Sequence, residues 1–435
     1  MSASGLPAPD ASTSARAISP RVSIDAIVLY GTVAVLLCAP LAFGAVQIWA
    51  QSAMQACAGI LLALWAFQQV RHGEIHISVN PAFAPMLAFF ILAALQLLFA
   101  TTAYRNETKS QLALYFMYGA FAFLIVQTLR RTRQIKLLGV ILTSYGAAVA
   151  FFALVQGLSS NGKLYWLRQP AFGGWIYGPY VNHNHYAGLM EMLLPISLAA
   201  ALSHYSDTFR RVLASLAAML MAITIFLSGS RGGMVAFAVQ ISILSVVILR
   251  HKRHRVAFLA GILALLAVAL SVWMIDSSSI SRLASIATET HGEVSGGTRL
   301  RIDRDALRMF SQRPFVGWGL GTFPDVYPQF RSFYTDFRIN QAHNDYLQFL
   351  AEMGIPGLLV MLWFLFVVCR NALRKLEDWP SNMNGSVALA ALLGITGILV
   401  HSFVDFNLHI PANAALFYAL CAMAAMEPRF GLARR

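Results

Sequence analysis

An imidazole marks the point where the longest polar stretch of the chain meets an apolar run: His343 opens the tetrapeptide His343-Asn344-Asp345-Tyr346. Imidazole works as a general base near neutral pH without special tuning, and at a boundary between water and lipid it can meet one reactant from each side. The same tetrapeptide also fits a helix start, in which its polar side chains cap the first turn. Upstream, the polar stretch from Asp276 to Asn344 carries eight arginines (Arg282, Arg299, Arg301, Arg304, Arg308, Arg313, Arg331 and Arg338) and no lysine. Guanidinium is a planar, permanently charged fork that grips phosphate in bidentate fashion, whereas lysine is a flexible point charge. An arginine-only segment therefore points to a phosphate-bearing ligand, with a solvated basic helix as the plain alternative.

Two shorter clusters stand out. Ser228-Gly229-Ser230-Arg231-Gly232-Gly233 lies between two apolar runs; it fits an anion site of freed backbone amides and one arginine, or a tight turn whose arginine snorkels. Asn182-His183-Asn184-His185-Tyr186 follows a segment, 159–182, that holds Tyr165, Trp166, Phe172, Trp175, Tyr177 and Tyr180. Those rings suit either an interfacial belt or a platform for sugar stacking. Metal ligation fits poorly. Asp303-Arg304-Asp305 has the letters of an Asp-x-Asp site, but on a helix residues two apart point about 200° away from each other. His183 and His185 lack a carboxylate third ligand, since Glu191 lies about two helical turns further on. No metal is expected. Glu191 and Asp405 fall inside apolar runs, where an ionisable group faces a bundle interior or a cavity by default, and Asn407 and His409 follow Asp405 toward the same end; structural pairing with an arginine fits both equally well.

These residues need elements to hold them. Across 435 positions 58% are hydrophobic and 12% charged, against roughly 25% charged in an average soluble domain. The chain reads as an all-α polytopic membrane protein, and its net charge of +13 reflects loops that anchor topology rather than a nucleic-acid partner. At roughly 20 residues per span, about twelve are expected: Val22–Phe43, Trp49–Val70, Pro81–Ala100, Leu112–Leu129, Ile135–Leu158, His183–Ser203, Phe209–Leu227, Gly232–Leu249, Val256–Ile275, Asp345–Val368, Ser386–Val404 and Pro411–Met426. The domain plan is a disordered tail over 1–21, spans one to nine over 22–275, a long outer loop over 276–344, spans ten to twelve over 345–426 and a tail over 427–435. With the N-terminus inside, inner segments hold nineteen of the 32 basic residues, including the group Arg250, Lys252, Arg253 and Arg255, and short outer loops hold five. That asymmetry places both termini in the cytoplasm and the long loop outside. Cys38, Cys57, Cys369 and Cys421 have no paired spacing, which argues against disulfides and zinc.

Inside the loop, the spacing predicts an amphipathic helix over Thr298–Phe310, with Leu300, Leu307 and Phe310 on one face and Arg301, Asp305 and Arg308 on another, ended by Pro314. Gly317-Trp318-Gly319-Leu320-Gly321 lacks any βαβ context and reads as a glycine turn. Phe323, Tyr327, Phe330, Tyr334 and Phe337 recur as an aromatic stripe expected on the membrane face or on the apolar tops of the spans.

Taken together, the Asn182–Gly188 and Ser228–Gly233 clusters, the arginine helix leading to Arg313-Pro314-Phe315-Val316-Gly317-Trp318-Gly319, and His343-Asn344-Asp345-Tyr346-Leu347-Gln348 resemble the O-antigen ligase family over about residues 180–360. That family also includes polysaccharide polymerases and bacterial protein O-oligosaccharyltransferases. The resemblance implies a GT-C-like membrane fold and an inverting glycosyltransferase without metal or cofactor. It would move a glycan from undecaprenyl diphosphate to a sugar of lipid A-core at the periplasmic face of the inner membrane, among membrane lipids. Carried over by motif, Arg231 and Arg299 would hold the donor diphosphate with Arg301 as a neighbouring candidate, and His343 would activate the acceptor hydroxyl. His185 and Asn344, within the matching motifs, join the substrate-binding set. Family members often carry an aromatic where this chain has Asp303, which leaves Arg299 and Arg301 as competing diphosphate ligands. A transporter is the alternative from another class, but the long loop has no counterpart in the first half of the chain.

Overall fold

Several of the apolar runs become helices where a polar residue stands ready to start them. The computed structural model describes residues 23–170, 175–204, 206–249, 296–336, 338–377 and 379–430. Ser23, Asn182, Asp207, Asn344 and Asn382 each accept a backbone N–H from the first turn that follows, the usual device for satisfying donors that a helix start leaves open. The resulting helices are α1 (Ile24–Leu41), α2 (Ile48–His72), α3 (Phe83–Leu98), α4 (Arg105–Thr128), α5 (Thr132–Leu158), α6 (His183–Leu202), α7 (Thr208–Leu227) and α8 (Arg231–Leu249). Beyond residues 250–295 come α9 (Gly296–Gln312), the short α10 (Phe323–Val326), α11 (Asp345–Leu373), α12 (Met383–His401) and α13 (Pro411–Ala425). No strand occurs among the described residues; pairing outside helices is limited to isolated bridges such as Tyr177 with Tyr180.

Nine helices among the described residues are long and apolar enough to cross a membrane, and α3 and α13 are shorter apolar helices. Eleven of the twelve expected spans thus fall on helices. The remaining one, Val256–Ile275, lies outside the described residues, as do the basic group at Arg250–Arg255, the start of the long loop with Arg282, and the tail over 1–21. Packing is organised around α6, which contacts α5, α7, α8, α12 and α13 and is buried along most of its length. One core joins α5, α6, α7, α12 and α13; a second joins α1, α2, α4 and α13, so α13 is shared.

The loop folds onto one end of this bundle and has its own core of Ile302, Ala306, Met309, Phe323, Val326 and Tyr327, against which Phe310, Trp318, Phe330 and Leu347 pack. This overturns the expected face of α9. Leu300 and Leu307 are exposed, and the inward face is Ile302, Asp305, Ala306 and Met309. A carboxylate can turn inward because partners wait for it: Asp305 accepts from Ser332 N and Oγ at 3.0 and 3.1 Å and from Tyr327 OH at 3.3 Å, which offsets its desolvation. The aromatic stripe is likewise not continuous. Phe323 and Tyr327 stack inside the loop core, Tyr334 is exposed, and Phe337 lies outside the described residues.

Part of segment 159–182 turns inward, while Tyr165 and Trp166 stay half-buried. Tyr177 and Tyr180 are buried, Trp175 stacks on His183 at 4.2 Å, and Phe172 lies outside the described residues. The glycine turn after α9 is confirmed by positive φ at Gly317, Gly319 and Gly321. It docks on a break in α11 at Gly354, whose φ of 66° and ψ of −167° divide the helix into a short outer arm and a long inner one. A side chain at Gly354 would meet Pro314 O at 2.7 Å, so only glycine lets the turn approach this closely. Glu352, just before the break, accepts from Gly321 N and Phe323 N at 2.7 and 3.2 Å and ties the loop to the span.

Candidate active site

Helix α6 starts, α8 starts, α11 starts and α12 stops at the same end of the bundle, where α9 lies across them. The centre of this arrangement is Asp405. Sequence placed it inside a span, but α12 stops at His401 and residues 402–406 fold back as a connection, with the Asp405 carboxylate fully buried. His185 Nε2 lies 3.6 Å and His343 Nδ1 3.9 Å from its Oδ1, and Arg299 Nη2 lies 3.9 Å from its Oδ2. Arg299 is anchored by a second contact, in which Nη1 donates to Val404 O at 2.7 Å. Phe406 stands between the two imidazoles, edge-on to His185 at 4.7 Å and to His343 at 4.8 Å. Its own N–H donates to Asp405 Oδ1 at 2.7 Å.

Burial would push the Asp405 carboxyl up, but His185, His343 and His401 around it outweigh burial and hold it well below the usual carboxylate range. It is a fixed anion. By contrast the Arg338–Asp325 pair, although 2.6 Å long, has its arginine 63% exposed. Exposed pairs contribute only about 0–1 kcal/mol, whereas removing one partner from a buried pair costs about 3–5 kcal/mol. The buried cluster is therefore where side-chain identity matters.

His343 adopts φ of 57°, a left-handed conformation uncommon outside glycine. The cap beside it is made by Asn344, which accepts from Leu347 N at 3.2 Å. Helix capping therefore falls to Asn344, and the imidazole is directed at Asp405. Asp345 also has a structural role: it accepts from Ser402 Oγ at 2.7 Å and Leu408 N at 3.1 Å, and pairs with His409 Nδ1 at 2.6 Å. These bonds fasten the start of α11 to the segment that carries Asp405.

The other expected site residues separate clearly. Arg231 is the first residue of α8, exposed at the same end, with no hydrogen bond or ion pair to the described residues. Arg301 is exposed as well and makes no such contact. Being two positions from Arg299, it leaves the helix in another direction. His183 Nδ1–H donates to Ser228 O at 2.8 Å and the ring stacks on Trp175, so it serves packing. His185 reaches the centre. The pair Asp303 and Asp305 is split as its spacing requires, Asp305 toward Ser332 and Asp303 toward Asn344 and Arg299. Sequence did not single out Phe406 or His401. A signal existed in the alternation Asp405-Phe406-Asn407-Leu408-His409 after a long apolar run, which marks a tucked-in segment rather than a span end.

Burial raises the Asp303 carboxyl to about 6, against the opposing effects of the Asn344 hydrogen bond and the Arg299 charge. A carboxyl raised on folding is destabilising once ionised: the cost is absent below the ordinary value of 3.8 and grows as pH rises toward about 6. Asp303→Asn should therefore raise the thermal midpoint at neutral pH, with the gain vanishing in acid. Thermal denaturation of the purified variant across that window checks this. A gain that persists in acid would contradict it.

The O-antigen ligase family model matches residues 216–362. Over those residues the chain carries an O-antigen ligase family domain. No curated protein matches the chain. That domain supports glycosyltransferase-type activity of ligase or polymerase kind on lipid-linked glycans, and together with the multiple apolar helices it supports embedding in a membrane by several spans. The matched span contains Arg231, Arg299 and His343, whereas His185 and Asp405 reach the cluster from outside it.

Proposed function

We propose that this protein is an O-antigen ligase that moves a glycan from undecaprenyl diphosphate to a sugar of lipid A-core, by inverting, metal-independent transfer at the periplasmic face of the inner membrane. The convergence of His343 and Arg299 on the buried Asp405 carries the reading. His343 takes the proton of an acceptor hydroxyl while its oxygen bonds to the anomeric carbon, and the bond from that carbon to the diphosphate oxygen breaks. Asp405 stabilises the imidazolium that forms. Diphosphate is a good leaving group and needs fixed positive charge more than an acid, which Arg299 and the exposed Arg231 supply. Attack opposite the leaving group gives inversion, and one base with a cationic clamp on the far side suffices.

The test is transfer by purified protein from a lipid-diphosphate-linked glycan, with lipid A-core, a glycan and a pilin-like peptide offered as acceptors. Lipid A-core is the expected acceptor, and EDTA should leave the rate unchanged. Transfer to glycan or peptide alone would make the protein a polymerase or a protein transferase. Loss in EDTA that divalent ions restore would overturn metal independence.

A further inference from the structure

Below Asp405, three spans meet at a polar junction that the proposed reaction does not use. His401, the last residue of α12, places Nδ1 2.8 Å from Glu191 Oε1 of α6, and both side chains are buried, at 1% and 0% exposure. Glu191 lies six residues after His185, roughly 9 Å further along the axis at the rise of an α-helix. Gln240 of α8 completes the junction by donating to Glu191 O at 2.7 Å and to Leu393 O of α12 at 2.9 Å. Two ionisable groups inside a membrane bundle are costly and call for a reason beyond packing.

The surrounding glycines show how closely this junction is fitted. A side chain on Gly232 would meet His401 Cδ2 at 2.6 Å, and one on Gly233 would meet Ala187 at 2.8 Å and Glu191 Oε1 at 3.2 Å. A side chain on Gly397 would collide with Gln240 at 2.3 Å. Glycine weakens a helix interior, so these positions are explained by the close approach of α8 and α12 to the Glu191–His401 pair. Arg231 begins the same turn of α8, which makes the junction its seat.

His401 also starts the turn that carries Asp405. Its carbonyl accepts from Val404 N at 3.0 Å and from Asp405 N at 3.1 Å, and Arg299 anchors on Val404 O. We propose that Glu191, acting through His401, is a positioning residue for the transfer reaction: the pair fixes the turn over 402–406 that presents Asp405 and Phe406 to His185 and His343. This rests on the reading of the Asp405 cluster as the transfer site. Its consequence for kinetics is specific. Loosening the turn misplaces the carboxylate that stabilises the imidazolium, so turnover falls.

The experiment compares Glu191→Gln with the double replacement Glu191→Leu, His401→Leu in the full-length protein. Exchanging a buried ion pair for apolar residues of similar volume generally preserves folding, so the double variant separates positioning from stability. Glu191→Gln keeps an oxygen that accepts from His401 Nδ1–H and should turn over within about threefold of wild type. The double variant should retain its thermal midpoint yet lose about 30-fold or more in kcat. Hydrogen exchange should also accelerate by about tenfold or more over 402–406 and not in the rest of the bundle. Exchange does not depend on transfer activity. A wild-type protein that transfers nothing would sink the reading of the site, while the exchange result would still decide whether the pair holds the turn. The inference is overturned by a double variant with near-wild-type kcat, or by unchanged exchange over 402–406.

Discussion

His343→Ala is expected to lower turnover by on the order of 10² to 10⁴ while donor binding stays near wild type, because the imidazole touches only the acceptor. The geometry sharpens this. Asn344 supplies the cap of α11, so removing the imidazole leaves the helix start intact. His343 is held at positive φ, and alanine tolerates that conformation less well than glycine, so His343→Gly is the control for backbone strain. Both variants should lose turnover alike. His343→Gln should fail too, since glutamine keeps a hydrogen bond but cannot accept the proton at neutral pH. Measuring donor binding and turnover on the same preparations checks the dissociation of the two. Loss of donor binding in His343→Ala would instead make the residue a diphosphate contact.

Arg299→Ala and Arg231→Ala should each cost on the order of 10² or more in turnover, and lysine should rescue poorly because it lacks the planar fork. Arg299 has the larger expected effect. Besides any donor contact, its removal deprives Asp405 Oδ2 and Val404 O of their cation, and a buried anion left without a partner is destabilising. Arg231 makes no hydrogen bond or ion pair with the described residues, so its alanine variant should leave thermal stability nearly unchanged and report chiefly on the ligand. Arg301→Ala is the informative contrast. Exposed and without a hydrogen-bond or ion-pair partner among the described residues, it should retain turnover within about threefold, as surface substitutions away from such features usually do. Steady-state kinetics on the three variants measures these differences, and a loss at Arg301 equal to that at Arg299 would restore it as a diphosphate ligand.

Local chemistry made the spans and many helix starts legible. Apolar length gave the helices, and Asn182, Asp207 and Asn344 stand where caps are needed. The break in α11 was also written locally, in Gly354-Ile355-Pro356, a glycine followed by a proline within an apolar run. What sequence could not show was set by partners far away along the chain. Leu300 and Leu307 follow helical spacing, yet the inward face of α9 belongs to Ile302, Asp305 and Met309, because Ser332 and Tyr327 satisfy the Asp305 carboxylate. Asp405 looked like the end of a span because the residues before it are apolar. Its neighbours His185, Arg299 and His343 lie 220, 106 and 62 positions away by subtraction of residue numbers, and no local pattern joins them. The arginine motif left Arg299 and Arg301 as rivals; Arg299 turns toward Asp405, whereas Arg301 leaves α9 on its exposed side.

The central claim is that an acceptor hydroxyl, deprotonated at His343, displaces a lipid diphosphate at the Asp405 cluster. Its most direct test is the anomeric configuration of the new linkage, read by NMR in a reaction with a donor of known anomer, together with the amount of polyprenyl diphosphate released. The account predicts the opposite anomer on a sugar of lipid A-core, with one polyprenyl diphosphate released per glycan transferred. Retention of the donor anomer would contradict a single displacement and, with it, the role assigned to His343.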